Sequence, residues 1–329
     1  MARTAKMNMI MHGDGHGGVH HHDGLLNING IFENHFDVII TNPPFGARVE
    51  KSLLITKADQ ITDEKRLAKY KKLYGEDVYS QAMRQIDDNV GEALVDTLHI
   101  GKESMSGLTE VLFIERCIRL LKPGGRLGIV LPEGVLNTQN LGKVRQYFES
   151  TAKLILITSI PQEVFMKSGA TVKPSLVFLK KFTDEERLQW DTYTDEANTE
   201  VRAKYQTELN EIDAQLTLRG KEAPSATTKK ELRSRKKTIE EQIEVEVRVI
   251  VKERFDYDIP IASVEKAGIS STGGAIDNEL TDILKEYNPY RIENKLWFEN
   301  KSIFEYKWSS KSEKVERLKN SAESIIIEL

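Results

Sequence analysis

The chain has 329 residues, 39% of them apolar and 30% charged, with a formal net charge of −4, so a sizeable core can form in two domains or in one domain with a large insertion. The single cysteine, Cys117, excludes a disulfide framework within the chain, and no apolar run approaches the roughly 18 residues of a membrane span. The overall charge supplies no attraction to a polyanion, so binding one requires a local basic patch.

The first eleven residues lack an apolar signal core with a cleavage site, and a soluble, cytoplasmic protein is expected. A helical opening leads into His12-Gly-Asp-Gly-His-Gly-Gly18, formally a G-x-G-x-x-G pattern. It follows a helix, not a strand, and runs into His20-His-His22-Asp23, so the phosphate-loop context fails. Five histidines (His12, His16, His20, His21 and His22) cluster here beside Asp14 and Asp23, but their spacing matches no closed structural zinc site, and no metal is expected.

From about Phe32 to Phe182, short β-rich runs alternate with helical stretches, the pattern of a doubly wound, mainly parallel α/β sheet. Residues 36–41 predict a buried strand that ends at Asn42-Pro43-Pro44. Residues 47–108 form a long insertion with a charged helical part at 63–74; closure over a bound substrate is its expected role. Val111, Leu112, Ile114, Cys117, Ile118 and Leu121 recur at helical spacing and stop at Lys122-Pro123-Gly124-Gly125. Strands are expected at 126–131, 153–160 and 174–181, a helix at 141–150 and a turn at Ser168-Gly169-Ala170. The last two strands leave no room for a crossover helix of about a dozen residues, so they should pair antiparallel.

Residues 1–182 thus form a core, and 183–253 change to long, charged, helix-forming sequence. Tyr205, Leu209, Ile212 and Leu216 face Leu232, Ile239, Ile243, Val247 and Ile250 across a turn containing Pro224, an antiparallel hairpin with a narrow apolar seam. Each arm should reach about 40 Å. Near its tip Lys229, Lys230, Arg233, Arg235, Lys236 and Lys237 form a basic patch suited to DNA phosphates, though charge runs also occur as plain solvated faces. Residues 254–329 begin with a possible strand at 257–262 and continue as helical or irregular sequence. There Trp297, Phe298, Tyr306 and Trp308 suit either a partner subunit or packing of the terminal helices.

The sharpest chemical signal is Asp37-Val-Ile-Ile-Thr-Asn42-Pro43-Pro44-Phe45-Gly46. An exocyclic amine conjugated to a base is a poor nucleophile because its lone pair is delocalised. Two acceptors aimed at its hydrogens hold the nitrogen and favour a more tetrahedral geometry. The Asn42 carboxamide oxygen and the Pro43 carbonyl supply them, and consecutive prolines make a stiff loop without amide donors. Phe45 adds a face on which an extruded base can stack, worth about 1–3 kcal/mol. A plain strand-ending turn would use the same residue types.

Asn42-Pro43-Pro44-Phe45 resembles the catalytic motif of amino-group methyltransferases that use S-adenosylmethionine. Asn8-Met-Ile-Met-His12-Gly, residues 36–46, Leu121-Lys-Pro-Gly-Gly125-Arg, Val130-Leu-Pro132, Ser168-Gly-Ala and Ser175-Leu-Val-Phe-Leu179 resemble the modification subunits of type I restriction-modification systems. The resemblance spans about residues 2–182. It implies a methyltransferase-type sheet with an antiparallel last strand, a helical C-terminal region that contacts other subunits, and adenine-specific methylation at N6 with S-adenosylmethionine as donor. It also implies DNA, a specificity subunit, a second modification subunit and a restriction subunit as partners, and Asp23 near the cofactor adenine. Relatives begin their cofactor site with a glycine-rich Asp-Pro-x-x-Gly-x-Gly loop, to which nothing here corresponds. The chain is accordingly expected to be the C-terminal portion of a longer subunit, inactive alone. A non-catalytic fragment that binds the specificity subunit or DNA, and a cytosine-N4 or protein-glutamine methyltransferase, are the alternatives.

Overall fold

The computed structural model describes residues 2–13, 18–103, 105–166, 169, 172–220 and 223–297, and the backbone of three strands beyond them. In chain order the elements are α1 (Ala2–Met11), β1 (Phe36–Thr41), α2 (Glu64–Tyr74), α3 (Glu76–Asp87), α4 (His99–Lys102), α5 (Thr109–Leu120) and β2 (Leu121–Pro132). There follow α6 (Glu133–Asn137), α7 (Gly142–Glu149), β3 (Ala152–Ser159), α8 (Glu163–Met166) and β4 (Pro174–Lys181). The long helices α9 (Asp184–Thr217) and α10 (Ala226–Arg254) lead to β5 (Ile261–Ser263), β6 (Ala267–Ile269), β7 (Ala275–Asn278) and α11 (Leu280–Glu293). The strands β8 (Glu305–Ser309), β9 (Lys314–Leu318) and β10 (Ser324–Ile327) make a separate antiparallel sheet, an addition to the helical or irregular C-terminal sequence expected.

The main sheet is mixed, with strand order β1-β2-β4-β3-β5. β1 runs parallel to β2 and β3 parallel to β5, while β4 is antiparallel to both β2 and β3. The antiparallel strand therefore lies inside the sheet, and β5, from beyond the helical hairpin, returns to flank β3.

Strand β1 corrects one expectation. An unbroken Val-Ile-Ile run reads as buried on both faces, yet β1 is an edge strand, with Val38 46% and Ile40 85% exposed. Only Phe36 and Ile39 pack against the core. Apolar composition reports an ability to be buried, and the number of covered faces depends on neighbours distant in sequence.

The core lies between this sheet and α5 and α7, where Val111, Leu112, Ile114 and Ile118 meet Leu127, Ile129, Leu131, Val144, Phe148, Val177 and Leu179. The insertion after β1 is built into that core through Ile55, Ile86, Leu94, Val95, Leu98 and Ile100. A second cluster joins Phe32, Tyr79 and Met83, with Tyr70 and Tyr74 stacked beside them. A segment so heavily committed to packing is scaffold, which argues against the expected closing flap.

The hairpin forms as its periodicity predicts. Thr183 caps α9 by accepting the Glu186 amide while the Glu186 carboxylate accepts the Thr183 amide, a reciprocal capping box, and Ser225 caps α10. Ala197, Val201, Leu209 and Ile212 bury against Ile239, Ile243, Val247 and Val251. Glu149 of α7 ties the hairpin to the sheet through Arg248 at 2.6 Å and Lys252 at 2.8 Å. Trp297 sits 4.9 Å from the Arg126 guanidinium and 5.2 Å from that of Arg291, and Tyr287 donates to the Ile155 carbonyl. Trp297 thus packs the terminal helix. Phe298 and the side chains of Tyr306 and Trp308 lie outside the described residues.

Candidate active site

Parallel pairing of β1 with β2, Thr41 opposite Ile129, brings Asn42 to the carboxyl-terminal rim of the sheet. Open α/β sheets bind their ligands at this rim. Two prolines end the strand because neither can donate to a ladder, and Gly46, at φ +74°, turns the chain. Pro43 is buried and anchors the loop, Phe45 is half-buried, and Asn42 and Pro44 are exposed. The Asn42 side chain and the Pro43 carbonyl form no hydrogen bond to any described residue. Among the described residues both acceptors are therefore uncommitted, on a loop too stiff to satisfy them internally.

The Phe45 ring lies 6.0 Å from that of Phe165, inclined at 59°. Phe165 belongs to the four-residue α8 after β3, and β3 and β4 register Ser159 against Ser175 at the same rim. The sequence offered no signal for it, because one phenylalanine in a single helical turn has no periodicity. The Ser168-Gly169-Ala170 turn that follows lies outside the described residues except for Gly169, whose amide bonds the Met166 carbonyl.

Behind Phe45 the loop is held by α5. Both oxygens of the Glu110 carboxylate accept the Gly46 amide at 3.2 Å, and Glu110 is only 4% exposed. Thr109 donates to the Ala47 carbonyl and Val49 to that of Gly107, both at 2.9 Å, zipping the outgoing chain to the start of the helix. Glu110, Arg48, Pro132 and Asn140 border a cavity of about 420 Å³. Further along the rim the Glu133 carboxylate receives Lys173 at 3.0 Å and the Ser159 hydroxyl at 2.8 Å, bonds that hold its carboxyl below the usual range.

Asp23, the candidate cofactor contact, is exposed, and its Oδ1 accepts the Leu25 amide at 2.9 Å in a tight turn. Among the neighbouring histidines, His22 bonds the carbonyls of Asp59 and Asp23, and His20 bonds Asn29. Burial pushes the His20 imidazole below its ordinary value, with Lys6 and Arg66 adding to the shift. Asp14 and His16 lie outside the described residues, among which no group of three ligating side chains is placed to hold a metal. The proposed basic patch is half neutralised. Arg235 pairs with Glu208 at 2.6 Å, Lys236 with Asp213 at 2.6 Å and Lys237 with Glu241 at 3.6 Å. Lys229, Lys230 and Arg233 have no acidic partner among the described residues. For Arg235 and Lys236 the carboxylate comes from the other arm, which counting charge along one arm overlooks, whereas Glu241 lies one turn along the same helix as Lys237.

A family model described as N-6 DNA methylase matches residues 1–74 and 94–247; the unmatched stretch between them carries α3. Among solved structures, a putative class I S-adenosylmethionine-dependent methyltransferase from Listeria monocytogenes is 22% identical over 49% of this chain and 36% of its own, with a TM-score of 0.30. A modification subunit of a putative type I restriction enzyme from Vibrio vulnificus is 20% identical over 54% and 30%, with a TM-score of 0.34. The M protein of the type I restriction enzyme EcoKI is 21% identical over 56% and 29%, with a TM-score of 0.35. This chain spans about a third of the length of these structures. No curated protein matches it.

Proposed function

The chain belongs to the N-6 DNA methylase family, and from that premise we propose that its Asn42–Phe45 loop grips the N6 amine of an adenine swung out of duplex DNA, within the modification subunit of a type I restriction-modification system. The observation that carries the reading is the pair of acceptors, uncommitted among the described residues, on a proline-stiffened loop at the sheet rim. Asn42 takes one amine hydrogen and the Pro43 carbonyl the other, which fixes the nitrogen and draws its lone pair out of the ring system. Phe45 and Phe165, inclined at 59°, offer one ring a face and an edge. The amine proton becomes acidic only as the methyl group arrives, so water suffices to take it.

S-adenosylmethionine is proposed as the donor from the family alone. The described residues do not fit it as a complete site: one oxygen of Asp23 is already committed to Leu25, and among them no strand of the main sheet runs into a helix through a glycine-rich turn that could receive the methionine portion. That misfit favours a second reading, in which the chain only docks on DNA or a specificity subunit. The proposed assembly also includes a second modification subunit and a restriction subunit.

The test is Asn42→Ala in the chain tagged and purified with its partners from its native cells. Loss of an oriented hydrogen bond in the transition state should lower methylation of duplex DNA by about a hundredfold, with the assembly intact. Unchanged methylation would defeat the assignment, and co-purification without any methylation by the unaltered assembly would select the docking reading.

A further inference from the structure

Glu110 is a carboxylate buried to 4% exposure in the first turn of α5. Taking a carboxylate out of water is costly unless hydrogen bonds and nearby positive charge compensate. The helix N-terminus supplies part of that compensation. Among the described residues the hydrogen bonds come from one donor, the Gly46 amide, 3.2 Å from each oxygen. Anchoring the outgoing chain does not require this arrangement, because the bonds of Thr109 to Ala47 and Val49 to Gly107 already do so. The carboxylate is spent on the first amide after Phe45, at the residue whose positive φ sets the direction in which the loop leaves the rim. A Cβ at Gly46 would meet nothing within 4 Å, so close packing does not hold the turn in place.

We propose that Glu110 is a positioning residue: by holding the Gly46 amide through both oxygens it fixes the orientation of the Phe45 ring and the Pro43 carbonyl toward the bound base. The functional half of this inference rests on the reading of the loop given above. The structural half does not.

Phe45-Gly46 is the single Phe-Gly pair in the sequence. Carbonyl-labelled phenylalanine combined with amide-labelled glycine therefore isolates the Gly46 amide as one NMR resonance in the full chain. In the unaltered protein that proton should lie downfield and exchange slowly with solvent. Glu110→Gln keeps an acceptor in place and should leave it nearly so. Glu110→Ala should shift it upfield and speed its exchange about tenfold or more, the loss of a hydrogen bond to a charged group. Should the alanine variant fail to fold, Glu110→Asp, one methylene shorter, takes its place. In the methylating assembly the alanine or aspartate variant should lower kcat about tenfold with KM for DNA little changed, and glutamine should restore most of it. An unmoved Gly46 resonance overturns the proposal, and so does a moved resonance with unaltered kcat. If the unaltered assembly does not methylate, the reading of the loop fails, and the resonance alone decides whether Glu110 positions it.

Discussion

Arg116 donates from Nη1 to the Asn27 side-chain oxygen at 2.7 Å, with Arg116 1% and Asn27 0% exposed. The same guanidinium reaches the Leu26 carbonyl at 2.8 Å and that of Gly24 at 3.2 Å, with Glu33 at 3.5 Å. Burial pulls its pKa down to about 10, with Glu33 opposing, so it remains a cation at neutral pH. Its neighbour Glu115, also buried, receives the amides of His99 and Ile100. Helix α5 thus carries three buried charged side chains, Glu110, Glu115 and Arg116, and each holds the backbone of a different segment: the turn at Gly46, the first turn of α4, and residues 24–26. Arg116→Met should lower stability in urea by about 3–5 kcal/mol, because it strands several buried acceptors and Glu33. Arg116→Lys should rescue little, since one ammonium cannot span the acceptors that a planar fork reaches. A loss below about 1 kcal/mol for the methionine variant would show that water replaces the guanidinium.

Lys181 predicts a pH dependence of stability. Its ammonium donates to Asn34 and to the Leu121 carbonyl, each at 2.7 Å. Burial is the largest influence on it and pushes its pKa from 10.5 down to about 8, with Glu33 opposing and Arg119 adding. In that window the unfolded chain holds a proton that the folded chain has released. Stability attributable to this group therefore rises with pH across the window and is lowest below about 8. Melting temperatures of the unaltered protein and Lys181→Met, compared from about pH 7 to about pH 10, should diverge in favour of the unaltered protein. A constant difference would show that the two hydrogen bonds keep the ammonium charged throughout.

Much of this architecture is legible in the residues, for reasons that also mark where legibility ends. The apolar spacing at 111–121 and the Pro-Gly-Gly after it give α5 to within two residues, and 174–181 is β4 as expected. The Asn-Pro-Pro-Phe loop needs no distant information, because strand, prolines and aromatic are contiguous. Glu110, Glu115 and Arg116 were not legible as buried. Charged side chains in a helix read as its solvated face, and only the loops that come to meet them show otherwise. The interior place of β4, the return of β5 and the approach of Phe165 to Phe45 are likewise settled by contacts between segments far apart in sequence.

The cofactor misfit has a calorimetric consequence. Asp23 is fixed in its turn by the Leu25 amide, and the following residues are pinned by Arg116, so the segment has little freedom to reshape around a ligand. The chain by itself should therefore give no measurable heat with S-adenosylmethionine at micromolar concentrations, and Asp23→Ala should not alter that. Tight one-to-one binding by the isolated chain would refute the expectation and make Asp23 the first contact to re-examine.

The hairpin patch predicts a difference between two sets of basic residues. Arg235, Lys236 and Lys237 already spend hydrogen bonds or charge on Glu208, Asp213 and Glu241, so they are poorly available to phosphate. Lys229, Lys230 and Arg233 carry no such commitment among the described residues. Replacing either set by alanine removes the same formal charge, so affinity for duplex DNA alone does not separate the two. The salt dependence does, because each phosphate contact releases counterions and contributes about 0.9 to the slope of log affinity against log salt. Removing Lys229, Lys230 and Arg233 should flatten that slope by roughly one contact per residue engaged, whereas removing the paired set should leave the slope nearly unchanged. Equal slopes for all three proteins in fluorescence anisotropy titrations would mean that the hairpin tip makes no phosphate contact and is simply a solvated surface.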